Sequence, residues 1–132
     1  MIEERTITIL GKEVRMRYCA AAETGYERLS GKKINIFTPT PVKWDDKGNV
    51  TEVEPSKATE EDYIYLGCAA IIAAYSRTHE EPVVSAEEIL FDADPNDVIA
   101  LMKAVMELRA KWYKVPDVID EEKTKGDDQK NV

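Results

Sequence analysis

Histidine and cysteine are scarce in this 132-residue chain, which has one of the first, His79, and two of the second, Cys19 and Cys68. Neither cysteine belongs to a C-x-x-C pair, and no other histidine or cysteine stands at metal-ligand spacing from His79. The sequence therefore calls for no metal and no cofactor. A disulfide between the two cysteines is open but unforced. With Tyr18 and Ala20 around one and Gly67 and Ala69 around the other, both read as buried reduced thiols, suited to a reducing cytoplasm. Positive charge is also short: 18 basic residues face 26 acidic ones, for a net charge of −8. Such a charge balance opposes nonspecific nucleic-acid binding, which needs a basic surface to displace counterions, and it does not exclude a basic protein partner. The longest apolar run, Tyr63 to Tyr75, is well short of the roughly 20 residues that span a membrane. The opening "MIEERTITIL" has no apolar core behind a positive charge, so no signal peptide is expected.

What is present is a sequence of ordinary globular composition, 43% hydrophobic and 33% charged, long enough to bury a core. Thr6 to Leu10 and Glu13 to Tyr18 alternate between apolar and polar, which predicts a β-hairpin. Gly11 and Lys12 separate the two runs and suit a type II′ turn with Gly11 first. Ala20 to Ser30 predicts a helix with Ala22, Tyr26 and Leu29 on one face, stopped by Gly31 and complemented at its negative end by Lys32 and Lys33. Glycine beside lysine twice also invites a phosphate-loop reading. A phosphate loop runs from a strand straight into a helix through GxxxxGK[ST], which neither pair satisfies, so both are punctuation.

Residues 34 to 57 hold three prolines and the turn "DDKGN"; a second short hairpin and a mobile insertion are both open there. Three helix starts follow. Thr59 with Asp62 opens a long helix to about Thr78, Ser85 with Glu88 opens a short one, and Asp94-Pro95 opens the last. The last helix carries an apolar stripe of Val98, Leu101, Met102, Val105, Leu108 and Trp112, a wet face of Lys103, Glu107 and Lys111, and a stop at Val115-Pro116. The predicted fold is α+β: an N-terminal hairpin followed by a small bundle of about four helices, one domain over 1–116. Residues 117–132 are predicted to be a disordered acidic tail.

Candidate chemistry reduces to local structure. Asp92, Asp94 and Asn96 mimic a calcium loop, but the sixth place is Asp97 rather than glycine and the twelfth is Lys103 rather than glutamate. His79 sits at a helix end, where it complements the dipole. No nucleophile elbow is present, and adjacent carboxylates such as Glu60-Glu61 point to different sides. Nothing predicts an enzyme. The run from Tyr63 to Tyr75 is apolar or small on every side, so it is either a central core helix or a core helix with one side left for another chain. The candidate contact residues are Tyr63, Leu66, Ile71 and Tyr75 on that helix, with Met102, Met106 and Trp112 on the last; only those that prove exposed can serve.

Gly11, Met16-Arg17, Ala22, Tyr26-Glu27 and Gly31, followed by an alanine-rich helix and "DPNDVIALMKAVMELRAKWY", form a pattern across residues 5 to 113. It resembles the tail assembly chaperones of long-tailed phages and prophages and is similar to the related tail proteins of gene transfer agents. The segment 37–57 lies outside the resemblance. The resemblance implies a non-enzymatic protein of the bacterial host cytoplasm. Such a protein coats a long helical tape-measure protein, keeps it soluble, and helps recruit tail-tube subunits, with self-association on the client. Two other readings stand beside it. One is an interaction or regulatory domain of a prophage or mobile element with no tail role. The other is a small-molecule-binding domain with the 37–57 loop, around Trp44 and Asp45-Asp46, as its lid.

Overall fold

Two alternating six-residue runs at the N-terminus can bury only one face each, and they solve this by pairing. In the computed structural model, which describes residues 2–113, β1 (Glu4–Ile9) and β2 (Lys12–Arg17) form an antiparallel hairpin. Its register sets Ile9 against Lys12, Ile7 against Val14 and Arg5 against Met16. Ile9, Val14 and Met16 are buried on the inner face and the alternate residues face outward or lie at its margin. The turn differs from the expected one. Its two residues are Leu10 and Gly11, both left-handed with φ of 54° and 76°, which is the type I′ arrangement. Leucine tolerates that conformation because the Leu10 N–H donates to Asp97 Oδ1 at 3.3 Å and its side chain packs against the core.

Helix α1 (Ala20–Ser30) ends as its glycine dictates: Gly31 has φ of 76° and its N–H returns to the Glu27 carbonyl. Ala22 and Tyr26 are buried, but Leu29, expected on the same face, is exposed beyond the edge of the contact. Lys32 also departs from its expected role. Its ammonium donates to Asp62 Oδ1 at 3.1 Å rather than serving the end of α1 alone. A single 3-10 turn, Ile34–Phe37, then puts Phe37 edge-on between Tyr26 and Tyr63, with ring centroids 5.0 and 4.9 Å away.

The proline-rich segment is a second hairpin, β3 (Thr40–Trp44) with β4 (Val50–Glu54). Asp45 closes its turn by accepting the Lys47 and Asn49 N–H groups, each at 2.9 Å, with Gly48 left-handed. Every residue of both strands is exposed, and Trp44 is 57% exposed.

Helix α2 (Glu60–Arg77) is the centre of the fold. Thr59 and Asp62 form the expected capping box, and Leu66 through Ile71 are buried without interruption. A helix buried all round needs neighbours on every side; α1, β2, the short α3 (Ala86–Asp92) and α4 (Pro95–Trp112) supply them. Small residues set the spacing. A Cβ on Gly67 would stand 2.5 Å from Leu101 Cγ of α4, and one on Gly25 of α1 would stand 3.3 Å from the Ala69 Cβ. The helix closes at Thr78 with a Schellman pair, His79 N–H to the Ser76 carbonyl and Glu80 N–H to the Tyr75 carbonyl. His79 takes the left-handed position with φ of 59°, so it shapes the cap through its backbone. The buried residues form one continuous core, to which the β3–β4 hairpin contributes none. None of the helices among the described residues is long and apolar enough to cross a membrane. The predicted stop at Val115-Pro116 and the predicted tail over 117–132 lie outside the described residues.

Candidate protein-binding surface

Helix α4 begins where Asp94 accepts the Asp97 N–H at 2.9 Å and Asp97 accepts the Asp94 N–H at 3.2 Å, with Pro95 at the first helical position. Asp94, one of the residues that mimic a calcium loop, is thereby engaged in the cap together with Asp97, and Asp97 also holds the β1–β2 turn. From this start the helix turns Leu101, Ala104, Val105 and Leu108 into the core. That leaves a neighbouring stripe outside. Ile99 is 63% exposed, Met106 is 46% exposed, and Met102 lies half-buried between them.

These three side chains floor a shallow groove of about 410 Å³ whose rims are Glu60 at the start of α2 and Lys103 and Glu107 on α4. The floor is apolar and two of its three residues are methionines, unbranched and able to repack against differently shaped partners. Glu107 pairs with Arg5, whose donation holds the Glu107 carboxyl below the usual range, so this rim stays charged at neutral pH. The spacing from Ile99 to Met106 is two helical turns, the footprint one face of an amphipathic helix presents.

The other candidate contact residues are distributed differently. Leu66, Ile71 and Tyr75 are buried in the core and present no surface to another chain, which corrects their assignment as contacts. The physical reason is that α1, β2 and α4 pack against these faces of α2, so its residues there are consumed within the domain, whereas Ile72 stays exposed. Tyr75 also makes polar contacts, its hydroxyl accepting the Arg15 N–H at 3.3 Å while the Arg15 guanidinium lies 4.4 Å above its ring. Tyr63 is half-buried against Phe37. Trp112 is half-buried with its ring 6.3 Å from that of Tyr18, and it borders a second groove with Cys19, Ala73 and Arg77. Of the seven, Met102 and Met106 are thus brought together at one surface, and the rest are not.

Ile99 is absent from the sequence-based candidates, although its signal is in the sequence: Ile99, Met102, Lys103 and Met106 repeat the i, i+3, i+4, i+7 spacing one step around from the core stripe. Phe91, at the end of α3, is 79% exposed and is likewise not among them. It follows Ile89 and Leu90, and a seven-residue helix cannot turn three consecutive apolar residues inward. Neither of these two grooves is lined by residues of the β3–β4 hairpin. In comparisons with known proteins, no family model, no curated protein and no solved structure matches the chain.

Proposed function

We propose that this chain is a non-enzymatic tail assembly chaperone whose α4 groove receives helical segments of a tape-measure protein. The observation that carries the reading is the floor made by exposed Ile99 and Met106 with half-buried Met102, a second apolar stripe on a helix whose first stripe already fills the core. An amphipathic client helix would lay its apolar face there and its charged flanks against Glu60, Lys103 and Glu107. The net charge of −8 would keep the loaded complex in solution. The client's identity, and the recruitment of tail-tube subunits as a second partner, rest on the sequence resemblance.

Co-expression with the tape-measure protein of the same gene cluster tests this. The client should move to the soluble fraction and co-elute with the chaperone on size exclusion. Replacing Ile99 and Met106 together by glutamate should return it to the pellet while the chaperone itself stays folded. A client that remains insoluble with the unaltered protein, at every expression ratio, contradicts the proposal.

A further inference from the structure

The β3–β4 hairpin is the least self-sufficient part of the molecule. A lone two-stranded hairpin is marginally stable in water, and this one leaves Val42, Trp44, Val50 and Val53 exposed. Among the described residues each strand pairs on one side only, which leaves the outer N–H and C=O groups of both open to another strand. The two edges differ in charge. Strand β3 carries one lysine, Lys43, and no acid; β4 carries Glu52 and Glu54 and no base. Within the hairpin Lys43 already meets Glu52 at 3.2 Å, with both side chains largely in solvent.

We infer that this hairpin is a self-association element, in which β3 of one copy adds to the outer edge of β4 of the next. Two β4 edges brought together would set glutamates against glutamates, and two β3 edges would bring lysines together beside Pro41, which has no N–H to give. The β3-to-β4 arrangement alone joins unlike charges, Lys43 of one copy with the glutamates of the next. Pairing runs over Val42 to Trp44, past Pro41. The contact is head-to-tail, so it continues from copy to copy rather than closing into a two-fold dimer. It uses no residue of the α4 groove, so its loss leaves client binding to that groove unaffected.

Sedimentation velocity of the full chain over a wide concentration range tests the contact. The weight-average sedimentation coefficient of the unaltered protein should rise with concentration. Lys43→Glu and Glu52→Lys should each lose that rise, because each sets like charges across the interface. An equimolar mixture of the two should regain it, since each variant then offers an edge complementary to the other's altered one. The double variant K43E/E52K, which keeps unlike charges both within and between hairpins, should behave as the unaltered protein does. A coefficient independent of concentration for the unaltered protein overturns the inference. So does association that survives in the single variants, or its absence in the double variant.

Discussion

Tyr26 donates its phenolic hydrogen to Asp62 Oδ1 at 3.0 Å, tying the core face of α1 to the first turn of α2. Asp62 is 1% exposed, and its other oxygen accepts the Thr59 N–H at 2.8 Å and the Thr59 hydroxyl at 3.0 Å. Burial pushes this carboxyl toward the neutral form. The Thr59 N–H, the Lys32 ammonium, and the Thr59 and Tyr26 hydroxyls together outweigh that and hold it below the usual aspartate range. A depressed pKa adds stability above the unfolded value of about 3.9, and that stability is lost as pH falls through the folded value. Thermal melts should therefore show stability falling as pH drops below about 4. Asp62→Asn should cost about 2 kcal/mol at neutral pH and flatten that acid limb. An unchanged limb in the variant would place the acid sensitivity elsewhere.

Gly67 is a spacing residue. A methyl group there meets Leu101 at 2.5 Å, so Gly67→Ala should destabilise the fold by about 2 kcal/mol in denaturant titration despite the better helix propensity of alanine. Gly25 is the control. Its added Cβ would touch the Ala69 Cβ at 3.3 Å, and the helix gain of roughly 0.5–1 kcal/mol should nearly offset the crowding. Equal loss at both positions would mean that the α2–α4 distance is not what Gly67 sets.

The left-handed residues divide by residue type. Gly11→Val should cost about 1 kcal/mol or more, since its φ of 76° suits no branched side chain, while Lys12→Ala should be nearly silent. At His79, left-handed at 59° in the Schellman cap of α2, glycine should raise stability by about 0.5 kcal/mol. A destabilised His79→Gly variant would show that the imidazole makes a contact of its own.

The two thiols should behave unlike one another. Burial pushes the Cys68 thiol up to about 12, so at neutral pH it is protonated as well as enclosed. Cys19, expected to be buried too, is half-exposed at the start of α1. A thiol reagent added to the native protein should modify Cys19 readily and Cys68 only after denaturant is present; two equally fast groups would contradict the packing around α2.

Capping is written locally in this chain. Thr59 with Asp62, Ser85 with Glu88, Asp94 with Pro95, and Gly31 each need only a few neighbouring residues, and each element starts or stops where they indicate. Contacts between distant segments are not legible in the same way. The turn falls on Leu10 because Asp97, 87 residues away, takes its N–H; Lys32, placed just past its own helix end, also reaches Asp62. Whether the alanine-rich α2 faces a partner or its own domain depends on how completely α1, β2 and α4 enclose it, which no periodicity within α2 encodes. The exposed stripe on α4 is half legible. Met102 and Met106 stand out by residue type, whereas Ile99 is hidden behind a core stripe that already explains the helix.

If α4 meets a helical client at Ile99, Met102 and Met106, the methionine methyl groups will report the contact. The protein, with its methionines labelled in the methyl carbon, would be titrated with a helical fragment of the tape-measure protein and followed by methyl NMR. The Met102 and Met106 signals should shift progressively to saturation while that of Met16, fully buried on the inner face of the first hairpin, stays in place. Signals from Met102 and Met106 that remain unmoved while the fragment binds would contradict a client site on α4.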